Sequence, residues 1–281
     1  MNKAYFIYIF PLLLLGFGCN LNRPIDIELP PLESAVVVEC YLRPGQPFLL
    51  TLTESVGYFE PATISYVKGA RVSIRFDNQE INLSPVAFPI PDGIPSIEIL
   101  KPLLGDSLLF YNSSELVPAE YETDFFLDIV TADGERLTAT TRIPEPVLMD
   151  TIEWGFDDDD SLAFVLSRFQ DNASVMNFYR HTLHKGRLVA TAEQDFSVDD
   201  RIFNGGQAAF GTDFHYIRGD TLIFSLYHIP QNYYDFLETK DAAITANLSP
   251  FAQPAVVISN IQGGMGIFTG FTLDRQQIVI E

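Results

Sequence analysis

Among the 281 residues of the chain, four histidines, two cysteines and a run of four aspartates have the side chains best suited to metal or nucleophile chemistry. His181 and His184 form a His-x-x-His pair, a spacing that suggests zinc. The surrounding pattern is that of a strand, where residues three apart point to opposite faces, so the two rings do not converge on one ion. They read as two partly exposed strand histidines. His215 and His228 stand alone. Asp157, Asp158, Asp159 and Asp160 are candidate calcium ligands, since hard cations take carboxylate oxygens from flexible loops. The run lacks the spaced ligands, central glycine and distal glutamate of a calcium-binding helix–loop–helix, and it reads first as a solvated hairpin tip. Asp199 and Asp200 carry the same two readings. Gly263-Gly264-Met265-Gly266 resembles a nucleotide loop only superficially. Ile267-Phe268-Thr269 after it reads as a strand, so the glycines point to a bulge or a close backbone approach. Gly-x-Ser-x-Gly, His-Glu-x-x-His and Gly-Lys-Ser/Thr motifs are all absent from the sequence. No nucleophile–base pair or metal cluster can be assembled, so the expectation is a protein that is not an enzyme and uses no cofactor. Four aromatics, Tyr58, Phe59, Tyr233 and Tyr234, are candidate contacts to a sugar or a partner pocket, with core packing as the alternative for each.

The amino terminus carries the clearest chemical signal. Lys3 precedes an apolar run from Ala4 to Phe17 that contains Pro11 and Gly16. The run is shorter than the roughly 20 residues a membrane-spanning helix needs, and its charged start and small-residue end match a secretory signal peptide. It ends in Gly16-Phe17-Gly18-Cys19, which resembles a bacterial lipobox, although Gly16 stands where leucine is usual. On this reading residues 1–18 are removed and Cys19 is the lipid-attachment site. Several acyl chains, such as palmitate, would hold the protein firmly to a bilayer, since a single chain is marginal. Cys40 is then the other thiol, with no intrachain disulfide to make. Residues 19–33 read as a polar, proline-bearing tether.

Composition narrows the partners. The 37 acidic residues outnumber 17 basic ones, for a formal net charge of -20. Neutralising phosphates needs a cationic surface, so nucleic acid is not an expected partner, and neither is charge-driven adsorption to anionic lipid. A hydrophobic share of 47% is ample for a packed core.

The dominant period after the tether is two. Val72, Ile74 and Phe76 alternate with Arg71, Ser73 and Arg75 ahead of a turn at Asp77-Asn78-Gln79. Val36, Val38, Cys40 and Leu42 share one face of another strand, which makes Cys40 a buried small hydrophobe. Leu116-Val117-Pro118-Ala119-Glu120-Tyr121 resembles the tyrosine corner of immunoglobulin-like sandwiches. Asp133-Gly134 signals a hairpin. Ile143-Pro144-Glu145-Pro146 interrupts pairing, because proline donates no amide hydrogen. Beyond it, strands are expected at 148–154, 162–169, 177–184, 221–227, 256–260, 266–271 and 277–280. A single amphipathic helix after Pro230 places Tyr233, Phe236, Leu237, Lys240 and Ile244 on one face. The expectation is all-β: an immunoglobulin-like β-sandwich over 34–145 and a second β-sandwich with one helix over 146–281.

Several segments together resemble the Bacteroidota outer-membrane lipoprotein family catalogued as domain of unknown function 4249. They include Val36-Val37-Val38-Glu39, Pro44-Gly45-Gln46-Pro47, Leu52-Thr53-Glu54-Ser55, Tyr58-Phe59-Glu60-Pro61, Lys68-Gly69-Ala70-Arg71-Val72, Thr140-Thr141-Arg142-Ile143-Pro144, Asn177-Phe178-Tyr179, Asn247-Leu248-Ser249-Pro250-Phe251 and the stretch from Ser259 to Phe268. Cys40 departs from the small residue usual after the Val-Val-Glu segment. The resemblance implies a lipoprotein of the outer membrane, on either its periplasmic or its cell-surface face, commonly encoded near a TonB-dependent receptor. The functional expectation is therefore a lipid-anchored accessory or binding protein associated with a TonB-dependent transporter. The alternatives are a structural or adhesive surface module, or a hydrolase without a recognisable motif.

Overall fold

A computed structural model describes residues 34–57, 63–90, 101–105, 107–247, 253 and 255–281. Cys19, Tyr58 and Phe59, and the expected signal peptide and tether, lie outside them. The protein is all-β and sandwich-like, with one long helix.

Strict alternation builds the first sheet. β1 (Val36–Leu42) buries Val38, Cys40 and Leu42, and β2 (Pro47–Glu54) buries Phe48, Leu50 and Leu52. β3 (Ser65–Tyr66) adds to the edge of β2. β4 (Arg71–Phe76) turns through Asp77-Asn78 into β5 (Gln79–Pro89). A short helix, α1 (Lys101–Leu104), leads to β6 (Ser107–Leu116), followed by β7 (Asp124–Val130) and β8 (Arg136–Arg142). β5 pairs with β4 through residues 79–83 and with β6 through residues 84–89, so one long strand turns the corner between two layers. Phe76 packs 4.8 Å from Phe125 and 6.1 Å from Phe48, centroid to centroid, inside the resulting core.

The second half makes two smaller sheets. β9 (Met149–Phe156), β10 (Ala163–Gln170) and β13 (Gln207–Gly211) form one, in the order β13-β10-β9. β11 (Phe178–Lys185), β12 (Gln194–Asp199), β14 (Thr221–Ile229) and β16 (Thr272–Val279) form the other, in the order β12-β11-β14-β16. Phe169, Tyr179, Leu183 and Phe224 fill the space between them. The helix α2 (Gln231–Asn247) packs Tyr233, Phe236 and Leu237 against Phe178, Ile229 and Ile267.

The expected division at 145/146 does not follow the sheets. β15 (Met265–Gly270) crosses back and pairs in parallel with β1, register Val38↔Gly266 to Leu42↔Gly270, so the first sheet reads β15-β1-β2-β6-β5-β4-β7-β8. Residues 34–281 form one compact unit. The strand expected at 256–260 is absent. Asn260 instead makes two side-chain hydrogen bonds to the backbone of Phe268, donating to its carbonyl at 2.7 Å and accepting from its amide at 2.9 Å, which stands in for a ladder rung. The backbone tie expected of Tyr121 falls to Tyr111. Its buried hydroxyl donates to Val67 O at 2.9 Å and accepts from Ala70 N at 3.2 Å. On α2, Ile244 is 53% exposed and does not share the buried face.

The glycine cluster at 263–266 serves close packing, as its composition suggests. Gly266 has φ +110°, and a Cβ there would fall on Val38 O; one on Gly264 would lie 2.7 Å from Val36 O. Gly45, at φ +77°, faces open space. Gly266→Ala is therefore expected to destabilise the fold by on the order of 3 kcal/mol, from backbone strain plus overpacking. Gly45→Ala should cost about 1 kcal/mol. Urea denaturation of both variants checks the contrast, and equal losses would remove the packing argument.

Candidate functional site

Where the chain leaves β8 for β9, Pro144 and Pro146 withhold amide donors and keep the connector out of both sheets. A cleft of about 940 Å³ opens beside it. It is lined by the connector from Pro144 to Leu148, by Glu122 and Arg142, by residues of the β10–β11 connection between Asp171 and Phe178, and by His228, Ile229 and the start of α2. Leu148, Val175 and Met176 stand 64%, 58% and 52% exposed at its rim.

Beneath the rim lies a buried polar knot. The Asp171 carboxylate accepts from the Tyr179 hydroxyl at 2.6 Å, from Asn177 Nδ2 at 3.1 Å and from the Gly205 amide at 2.7 Å. Asp200 accepts from the Asn177 amide at 2.7 Å. Both carboxylates are buried without a basic partner among the described residues, so directed N–H and O–H donors supply the stabilisation that solvent would otherwise give. Together they clamp the two ends of the connection that displays Val175 and Met176. The Tyr179 hydroxyl is accordingly held well above its usual range, by burial first and by Asp171 second.

His228 forms part of the same lining. Its ring stacks on Tyr179 at 5.0 Å, and it is only 8% exposed. Nδ1 lies 2.7 Å from Glu145 O. A carbonyl can only accept, so Nδ1 carries the proton and Nε2 keeps its lone pair. The Nδ1 contact is the one side-chain hydrogen bond His228 makes among the described residues. Burial pushes the His228 pKa down, which keeps the ring a neutral acceptor. Glu145 O also accepts from Thr272 Oγ1 at 3.2 Å, so one carbonyl joins the connector to β14 and β16. Glu122, Glu145 and Asp150 are exposed around the cleft and form no ion pair with described residues, whereas Arg142 is held bidentate by Asp124.

The candidates expected from the sequence do not gather here. The aspartate run is spent locally. Asp157 accepts from the Ser161 amide at 2.7 Å and from its hydroxyl, which lowers its pKa, and Asp160 pairs with Arg218 at 2.9 Å. Asp199 binds Arg201. No group of three or more metal-type ligands converges among the described residues. Tyr233 is 5% exposed and packs in the helix interface, so it cannot serve as a surface contact; Tyr234 is half-buried against Phe178. Cys40 is fully buried and its thiol pKa is pushed far up by desolvation, as a structural cysteine requires. His215 is exposed and leans edge-on against Tyr216. The sequence reading left His228 isolated, and its partner Glu145 O is 83 residues away.

A family model described as "Domain of unknown function (DUF4249)" matches residues 22–277, and the chain belongs to that family. No curated protein matches it. A solved chain described as "Cytokine receptor complex - Crystal form 1A" aligns at 11% identity over 70% of this chain and 86% of its own, with a TM-score of 0.26, too low to support an argument. No helix among the described residues is long and apolar enough to cross a membrane.

His181 corrects the expectation of two partly exposed histidines. It is fully buried among Phe196, Phe210 and Phe224, and neither ring nitrogen has a partner. Desolvation lowers its pKa from 6.5 to about 4, with Asp195 opposing weakly. The unfolded chain therefore binds this proton first. Stability is full above pH 6.5 and falls as the pH drops from 6.5 towards 4, by on the order of 3 kcal/mol. His181→Phe should make that part of the profile shallower, leaving the share due to His228, whose pKa burial also lowers. The losses from depressed carboxylates such as Asp124 and Asp128 lie below it and should remain. Denaturation midpoints across the range measure both; an unchanged slope in the variant would show that His181 is not the titrating group.

Proposed function

We propose that this DUF4249 protein is a non-enzymatic binding protein, held to the outer membrane by a lipid on Cys19, that acts as an accessory to a TonB-dependent transporter. The cleft carries the reading. Its rim exposes Leu148, Val175 and Met176 over a wall stiffened by buried hydrogen bonds, the combination of apolar contact and preorganisation that binding surfaces use. The base on that wall, His228, has no serine or cysteine nucleophile bonded to it among the described residues, and the Tyr179 hydroxyl is committed to Asp171. Support for the anchor comes from the apolar run ending at Gly18-Cys19 and the polar tether behind it. Support for the transporter comes from what the family resemblance implies. Tethering would work by concentration. Two weakly attracting surfaces fixed to one membrane meet far more often than they would free in solution.

Two measurements test the parts separately. Cys19→Ala should leave a folded protein, with an unchanged circular-dichroism spectrum, that moves from the membrane to the soluble fraction. Retention on membranes washed in high salt would count against the anchor. Mild detergent extraction of the native chain should co-purify a β-barrel receptor, and Leu148→Asp with Met176→Asp should cut its recovery roughly tenfold, the usual effect of spoiling a central apolar contact. Undiminished recovery would place the contact elsewhere.

A further inference from the structure

The cleft described above is more selective than an apolar patch. Its exposed charges are mainly acidic: Glu122, Glu145 and Asp150 form no ion pair within 4 Å among the described residues, while the one exposed basic group of the lining, Arg142, is paired with Asp124 and also feels Glu122. The whole chain adds a long-range field of the same sign, with a formal net charge of -20. The apolar contacts come from two separate segments of the lining, Leu148 on the connector and Val175 and Met176 on the β10–β11 connection, so they suit several side chains projected from one extended ligand. Met176 adapts its shape to what it touches. His228, also in the lining, has its N–H on Nδ1, bonded to Glu145 O, which leaves Nε2 a lone pair and no proton. An occupant must therefore bring a hydrogen-bond donor to that point. It must also bring positive charge to the rim and apolar bulk to both segments.

We infer that the cleft takes an extended protein segment in which Lys or Arg alternates with large apolar side chains, the basic groups meeting Glu145 and Asp150 and an N–H of the segment donating to His228. An acidic segment would be repelled at the rim and would find no donor on the wall. A basic segment without apolar side chains would leave Leu148, Val175 and Met176 uncovered. This inference rests on the reading of the cleft as the binding surface and adds the chemistry of what enters it.

Full-length lipidated protein in detergent micelles would be titrated with three fluorescent peptides of equal length, alternating Lys–Leu, Lys–Ser and Glu–Leu. The Lys–Leu peptide should bind tightest. Met176→Ser, and separately Glu145→Gln with Asp150→Asn, should each weaken it by roughly tenfold. The control Asp133→Asn with Asp213→Asn removes two exposed charges that do not line the cleft and should change affinity by less than about twofold. His228→Phe, checked for an unchanged melting transition, should also weaken Lys–Leu binding. The inference is overturned if all variants bind alike, which is attraction to bulk charge, or if Lys–Ser or Glu–Leu binds as well as Lys–Leu. The two readings fail separately. Lys–Leu binding that depends on the cleft, without co-purification of any receptor, supports the segment and sinks the transporter. Receptor recovery that depends on Met176, with Lys–Leu binding indifferent to it, does the reverse.

Discussion

A single carbonyl, that of Glu145, fixes the geometry on which the site depends. It accepts from His228 Nδ1 at 2.7 Å and from Thr272 Oγ1 at 3.2 Å, so both its lone pairs are used by strands that are distant in sequence. Pro144 and Pro146 on either side leave this oxygen free of the ladders and available to them. The same point is braced from below. Met265–Val279 runs almost without interruption from the first sheet into the second: Gly270 closes β15, Thr272 opens β16, and the Phe271 amide between them donates to Leu42 O at 3.0 Å. One run of chain thus belongs to both halves, and the relative position of the cleft walls follows from hydrogen-bond register.

The buried carboxylates make a second use of geometry in place of charge. Asp171 and Asp200 sit beside Asn177 with no basic side chain paired to them among the described residues, a costly arrangement unless the hydrogen bonding is directed. It is directed here: amides of Asn177 and Gly205, an amide side chain and a tyrosine hydroxyl converge on them. The consequence for the surface is local. Val175 and Met176 sit on a connection whose two ends are pinned, so their exposure does not come from a slack loop.

Much of the fold was legible because its signal is short-ranged. Val72, Ile74 and Phe76 announce a half-buried strand by alternation alone, and Tyr233, Phe236 and Leu237 announce a helix by their spacing. What escaped depends on distant partners. Ile267 and Phe268 are both fully buried, on opposite faces of a strand covered on both sides, so they give no alternation and no hint that β15 belongs to the first sheet. Asn260 imitates a strand rung with its side chain, which explains why 256–260 reads as strand in sequence and is not one in space. His181 looked half-exposed because its cage of Phe196, Phe210 and Phe224 is drawn from three other strands. The site was the least legible part. Leu148, Val175 and Met176 are unremarkable in sequence, and the His228 tautomer follows only from where Glu145 lies.

The placement of β1 has a mechanical consequence. It is the first strand of the described chain, and it is zipped on both flanks, antiparallel to β2 and parallel to β15. A pull applied along the axis of β1 would load the rungs from Val36 to Leu42 together, in shear, instead of peeling them one at a time. A body loaded that way would resist detachment under flow or drag far better than one hung from an edge strand, and the positive-φ glycine opposite Val38 is what lets the second flank come close enough to share the load.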